Sequence, residues 1–137
     1  EAGLCLHGND ISETTTPVEA ALTWSIGKRR RAEGGFIGAE VILQQLAKGP
    51  ARKLVGIRPD GRAPVRAHAA IQDLSGRAIG EITSGGFGPS VDGPVALGYI
   101  ETAMSAPGTA LQVIVRDKPL PAKVEKLPFV PHRYHRG

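Results

Sequence analysis

The chain has 137 residues, 41% of them hydrophobic, enough for one modest core and too apolar for a disordered or fibrous chain. Seventeen Lys and Arg against 13 Asp and Glu leave a net charge of +4, a mild basic excess that favours anionic partners. No apolar run approaches the ~20 residues needed to cross a bilayer, no basic-then-apolar signal sequence opens the chain, and a single cysteine excludes an internal disulfide.

Residues 1–31 place polar and bend-forming residues between the short apolar pieces Leu4-Cys5-Leu6 and Ala20-Ala21-Leu22. Gly3 and Gly8 allow backbone conformations that a side chain forbids, and Asn9-Asp10 and Thr16-Pro17 are turn-forming pairs. The carboxylates Glu1, Asp10, Glu13 and Glu19 therefore fall at or near bends, where scaffolds present ligand-contacting groups. A polar loop between two buried strands has the same composition. Cys5, between two leucines, reads as a small buried hydrophobe. The chain opens in mid-pattern without a methionine, so a piece of something longer is expected.

Lys28-Arg29-Arg30-Arg31 follows, in isolation a solvated charge run or a nucleic-acid patch. One helix is expected over 36–47, because Ala39, Ile42, Leu43 and Leu46 form an i, i+3, i+4, i+7 stripe, and Gly49-Pro50 stops it. Beyond Ala51 the period becomes alternating. Strands are expected at 53–58, 65–71, 78–83, 95–100, 111–116 and 122–127, with turns at Pro59-Asp60-Gly61, Ser75-Gly76 and Pro107-Gly108. Val65, Ala67, Ala69 and Ile71 share one face, as do Leu111, Val113 and Val115, and these faces should form the core. Arg66 and His68 point the other way, exposed or paired with a polar partner.

The expected fold class is α+β, mostly β: residues 1–50 as the tail of one domain, then 51–137 as a small antiparallel β-barrel with the helix outside it. Apolar surface should remain uncovered within 1–49 and drive self-association or disorder there. His7, His68, His132, His135 and Cys5 make no zinc spacing, and the chain carries neither a phosphate-cradling Gly-x-x-x-x-Gly-Lys-Ser/Thr loop nor a Gly-x-Ser-x-Gly elbow. No metal is expected, and nucleotide hydrolysis and serine-esterase chemistry are unsupported.

Several runs resemble one family. Glu1 to Ile11, Thr16-Pro17-Val18-Glu19-Ala20 with Trp24, Phe36-Ile37-Gly38, Arg66-Ala67-His68, the turn expected at Thr83 to Ser90, Ala96-Leu97-Gly98-Tyr99, Arg116-Asp117-Lys118 and Leu127-Pro128-Phe129-Val130-Pro131 are similar, in order, to the carboxyl-terminal part of T-protein, the aminomethyltransferase of the glycine cleavage system. The resemblance implies a folate-binding core domain ending near residue 50, then the barrel. It implies transfer of a one-carbon unit from the aminomethyl-lipoyl arm of H-protein to tetrahydrofolate, with release of ammonia and no metal. Folate polyglutamate would then be one of the anionic partners that the basic excess favours.

The Glu-Ala-Gly-Leu match assigns Glu1 to the pterin, since a carboxylate accepts two parallel hydrogen bonds from an amino group and a ring N–H. The family's folate-contacting arginine, placed just before the Phe-Ile-Gly helix, best matches Arg30, with Arg29 and Arg31 open because a one-residue slip is invisible in sequence. A guanidinium stays charged and offers a fixed fork to carboxylates and carbonyls. Tyr134 matches a tyrosine that reaches back to the substrate site, although His132 and Arg133 replace smaller polar residues. Gly88 stands where relatives often carry serine and should loosen the turn without abolishing it, and Asp117 replaces the glycine of an Arg-Gly-Lys hairpin; Asp is among the few residues that tolerate positive φ.

The family's catalytic aspartate lies in its amino-terminal half, so no catalytic residue is expected in this chain, and alone it should be inactive. The resemblance implies lipoylated H-protein and folate as partners, without nucleic acid or membrane, in the cytoplasm or, for a eukaryotic source, the mitochondrion. Related folate domains of sarcosine- and dimethylglycine-oxidising enzymes and of an iron-sulfur assembly protein share the architecture, which makes folate binding the broader expectation. A basic β-barrel that binds nucleic acid through Lys28 to Arg31 and the tail Arg133 to Arg136 is the alternative of another class, short of stacking platforms at 4% aromatic residues.

Overall fold

The computed structural model describes residues 1–135. From residue 52 onward, short runs rich in β-branched and small residues, alternating in places and buried almost throughout in β1 and β4, form six strands: β1 Arg52–Pro59, β2 Ala70–Gln72, β3 Ala78–Gly88, β4 Gly93–Glu101, β5 Ala110–Val115 and β6 Lys118–Glu125. Every neighbouring pair is antiparallel, in the order β1-β4-β3-β2-β5-β6, and β6 returns to β1. The sheet is a closed barrel, which removes the unpaired edges of an open one. Its interior holds Ile57, Ile71, Ile82, Ile100, Leu111, Val113 and Val124, each at most 1% exposed. A mostly β chain with an antiparallel barrel and the helix outside is thus what the alternation predicts and what forms.

Three strands differ from expectation. The 65–71 run does send Val65 and Ile71 inward, but pairing is confined to Ala70–Gln72. His68 takes φ +68°, which an extended run cannot absorb, and residues 66–69 bend against β3 through His68 N–H to Ile82 O and Ile82 N–H to Ala69 O. The 83–90 run is not a turn up to Gly88. β3 continues to that residue, because pairing with β4 overrides the low strand preference of its glycines. A bulge at Thr83 shifts the register between Ile82 and Ser84. β6 begins at Lys118, since Arg116 and Asp117, both at positive φ, close a two-residue hairpin in which Val115 pairs with Lys118. The strand expected at 122–127 therefore ends at Glu125.

Two helices precede the barrel. α1, Lys28–Glu33, is formed by the charge run and was not expected from its pattern. α2, Ala39–Lys48, starts later than the 36–47 expectation, because Gly38 sits in the left-handed region and leaves Phe36 and Ile37 in the preceding turn. Gly49, also at positive φ, ends α2 by donating to Gln45 O. Neither helix contains a buried residue, and the extensive contacts between elements are all strand to strand.

Residues 1–27 instead lie along the barrel wall. Val18 and Ala20 are buried, and Cys5 packs with Leu127 and Phe129 against Leu54, Leu97 and Tyr99. Burial, with the Asp10 carboxylate adding to it, pushes the Cys5 thiol up from its ordinary value, which keeps it protonated and inert. The expectation of a small packed hydrophobe holds, although the residue is only half-buried.

Candidate binding site

The site is built where the first residues cross β3, β4 and the chain's last described segment. Ala2, Gly3 and Leu4 line two neighbouring hollows. The first hollow, about 410 Å³, is lined by Glu1, Leu4, Ser84, Phe87, Leu97 and Phe129, with Gly85 and Gly86 on its wall. The second, about 550 Å³ and more apolar, is lined by Leu4, Leu22, Trp24, Leu54, Leu127 and Tyr134. A shallower cleft joins Glu1 to Val130, His132, Arg133 and Tyr134. Glu1 and Tyr134, from opposite ends of the chain, are thereby brought together.

Glu1 is held by both main chain and side chain. Its carbonyl accepts from Phe129 N–H at 3.0 Å, and its Oε1 accepts from the Ser90 and Val91 N–H groups at 2.7 and 3.0 Å. Oε2 makes no hydrogen bond among the described residues. Gly88 makes this placement possible. A Cβ there would lie 2.8 Å from Glu1 Oε1 and 2.9 Å from its Cγ, so glycine admits the carboxylate rather than merely loosening a turn.

Tyr134 is exposed and stacks on His132 with ring centroids 4.7 Å apart, and His132 Nε2 lies 2.9 Å from Ala2 O. In an extended segment residues i and i+2 share a side, the one signal in sequence that could have paired these rings. Arg30 stands apart. Its guanidinium donates to the carbonyls of Gly34 and Gly35 at 3.4 and 2.5 Å, within its own helix-turn segment, and it lines none of the three hollows. Arg29 is exposed, whereas Nε of Arg31 is shielded from solvent and lacks a partner among the described residues. The basic run is thus helix α1 and not an open patch of four free cations, and Arg136 of the basic tail lies outside the described residues.

Asp10 is the residue that composition undersold. It is 3% exposed, and its carboxylate accepts from Leu6 N–H at 2.9 Å and from the Thr83 hydroxyl at 2.5 Å. Thr83 is the bulge residue of β3, so the bulge turns its hydroxyl toward this loop. Tyr99 on β4 donates to Asp10 O at 2.8 Å, and burial pushes its phenol up to about 12, so it remains a donor. The pair Asp10 and Thr83 fixes the first segment immediately before β3 enters the wall of the first hollow. Farther along, Glu19 holds the Arg52 guanidinium at 3.0 Å and the Thr16 N–H at 2.9 Å. His68 does have a polar partner, with Nδ1 2.9 Å from Glu81 Oε1, on an exposed surface. Among the described residues no group of three His, Cys, Asp or Glu could hold a metal ion, and no helix is long and apolar enough to cross a membrane.

Residues 52–131 match the glycine cleavage T-protein C-terminal barrel domain. The chain is 53% identical to the mitochondrial aminomethyltransferase of Flaveria trinervia over 136 residues, and 52% identical to that of Homo sapiens over 135; it covers 33% of each. The crystal structure of glycine cleavage system aminomethyltransferase T from Bartonella henselae superimposes with a TM-score of 0.92 at 50% identity, over 98% of this chain and 37% of that one. The chain spans about a third of the length of the curated relatives it matches, and it belongs to the glycine cleavage T-protein family.

Proposed function

We propose that this chain supplies the carboxyl-terminal part of a tetrahydrofolate-dependent aminomethyltransferase of the glycine cleavage system, with residues 1–50 completing the folate-binding core and 51–137 forming its barrel domain. The observation that carries the reading is the convergence of Glu1 and Tyr134 on one cleft beside two hollows, within a chain whose relatives bear the name aminomethyltransferase. In this reading the one-carbon unit of the aminomethyl-lipoyl arm of H-protein passes to tetrahydrofolate, ammonia leaves, and no metal takes part. The work of this chain is binding. Glu1 Oε2 accepts from the pterin, Tyr134 and the apolar walls flank the ring, and Arg30 turns from its own carbonyls to the folate. The chemistry itself falls to the amino-terminal part, and the 137 residues alone are inactive. The compartment follows the relatives, which are named mitochondrial in plants and animals.

The test is calorimetric titration of tetrahydrofolate into a chimera in which this chain is completed by the rest of the Bartonella henselae enzyme. Gln at position 1 would point an amide donor at a pterin donor. It loses a charge-assisted hydrogen bond of roughly 1.5–3 kcal/mol and adds a desolvation penalty of about 1–3 kcal/mol. Glu1→Gln should therefore weaken binding by about tenfold or more. Arg30→Ala should weaken it similarly, and His68→Ala should leave it unchanged. If Glu1→Gln bound as tightly as the parent while melting cooperatively, the pterin assignment would be wrong.

A further inference from the structure

The segment that carries Tyr134 has neither helix nor strand to hold it, and Tyr134 itself is 62% exposed. Segments near a chain end fray unless they are tied down. The Phe129 and Val130 N–H groups donate to Glu1 O at 3.0 and 3.4 Å, which fixes the start of the segment but stops short of the tyrosine. The next tie along the chain is His132. Its Nε2 lies 2.9 Å from Ala2 O, and because a carbonyl only accepts, that nitrogen carries a proton and donates it. Its ring also lies against the phenol ring, with centroids 4.7 Å apart and planes 26° apart, within the range of stacked aromatic pairs.

One imidazole therefore joins Tyr134 to the backbone of Ala2, the neighbour of Glu1. The stack covers one face of the phenol ring, so a bound molecule meets the other face. Both rings line the apolar hollow of about 550 Å³ with Leu22, Trp24 and Leu54, and both line the cleft that reaches Glu1. The main-chain bonds of Phe129 and Val130 are open to any residue with an N–H, whereas the tie at position 132 needs a flat ring with a donor at its far end. The smaller polar residues that His132 replaces offer no ring. We propose that His132 is a positioning residue of the binding site, a clamp that sets Tyr134 at a fixed place relative to Glu1 before a ligand arrives. The identity of that ligand, tetrahydrofolate, rests on the reading given above, and the clamp rests on the geometry of this chain. A side chain ordered in advance spares binding the entropy of ordering it.

The experiment has two arms. The chain contains two tyrosines, so fluorine NMR after labelling with 3-fluorotyrosine reads exposed Tyr134 beside buried Tyr99, which serves as the internal reference. In the 137-residue chain His132→Ala should narrow the Tyr134 resonance and move it toward its position in urea, leaving Tyr99 unchanged. The second arm is calorimetric titration of tetrahydrofolate into the chimera completed by the rest of the Bartonella henselae enzyme. His132→Ala should weaken binding about two- to tenfold, the range that ordering one side chain accounts for. Tyr134→Ala should weaken it at least as much, and the double variant no further than Tyr134→Ala alone, because the clamp then has nothing to hold. Circular dichroism melts verify that each variant folds as the parent does. A Tyr134 resonance that His132→Ala leaves in place overturns the proposal. Losses that add in the double variant overturn it too, since they make His132 a direct ligand contact. If parent and variants alike fail to bind tetrahydrofolate, the folate reading falls and the fluorine resonance alone decides the clamp.

Discussion

Residues 51–125 and residues 1–50 of the same chain are stabilised in different ways. In the barrel each strand is paired on both sides, and the isoleucines of β1, β2, β3 and β4 meet the leucine and valines of β5 and β6 with almost no exposed area. In the first 50 residues Cys5, Val18 and Ala20 supply a little apolar packing, and a few polar anchors add to it: Glu1 to the Ser90 and Val91 amides, Asp10 to Thr83, Glu19 to Arg52. Core packing distributes stability over many contacts, whereas anchors concentrate it in a few hydrogen bonds that one substitution removes. The site lies on the seam between the two regimes. That arrangement suits binding, since a rigid wall positions a segment that can still adjust.

The largest effect expected from breaking this comparison is in the barrel. Ile82→Ala empties a fully buried position between β3's bulge and the core and should destabilise the chain by about 2–5 kcal/mol. Ile37→Ala, at a fully exposed position before α2, should change stability by less than about 0.5 kcal/mol. Urea denaturation followed by far-ultraviolet circular dichroism measures both. Equal losses for the two substitutions would show that the helices are integral to the folded unit rather than carried by it.

The same contrast explains what was legible in the sequence. Strands that are rich in β-branched residues and bounded by clear turn residues, such as β1 and β5, could be read directly, whereas the Arg116-Asp117 hairpin was known only from the family resemblance and Arg116 was expected to end a strand. β2 was overestimated because Val65 and Ile71 are indeed interior, yet the break at His68 is a backbone event that alternation does not encode. The bulge at Thr83 is likewise set by register with β4, a long-range property. Glu1 and Tyr134 could be named from the family resemblance, but their convergence depends on Phe129 pairing with Glu1 across the whole chain. Asp10 reads as an ordinary turn aspartate; its burial follows from Thr83 and Tyr99, which lie more than 70 residues away. The α1 helix escaped notice because a run of four cations carries no apolar period.

An intermediate effect is expected at that anchor. Asp10→Ala leaves the Leu6 N–H and the Thr83 hydroxyl without their acceptor in a buried place and should cost about 1–3 kcal/mol. Hydrogen exchange localises the loss. The Leu6 amide, which donates to the Asp10 carboxylate, and those of residues 8–11, which close on Leu6 O and Ile11 O, should exchange faster while those of β1 and β4 keep their protection. Loss of protection throughout the barrel would make Asp10 part of the common core and erase the distinction between the two regions.

The smallest effect is a pH dependence at Glu19. Burial tends to raise this carboxyl, but the Thr16 N–H and the Arg52 guanidinium outweigh it and hold the group below its ordinary value of 4.5. A carboxyl lowered on folding contributes stability that is present above the unfolded value and is lost as pH falls through the folded one. Glu19 also fixes the segment through its main chain, because its carbonyl accepts from Leu54 N–H at 2.7 Å on β1. Acidification from pH 5 downward should therefore loosen residues 16–20 from β1, before the barrel melts. Trp24, exposed and close in sequence to that anchor, reports the step through its fluorescence. Because Arg52 is about half exposed, solvent screens the pair and the loss is modest. Glu19→Gln should remove the acid-dependent component while lowering stability at neutral pH. In the surface cluster Asp73, Arg77 and Glu101, hydrogen bonds from Ser75 and Arg77 also hold the two carboxyls below their ordinary values. That cluster sits on the barrel and should leave the Trp24 signal unaffected. An acid transition at Trp24 that survives Glu19→Gln would assign the seam's pH sensitivity to another carboxylate.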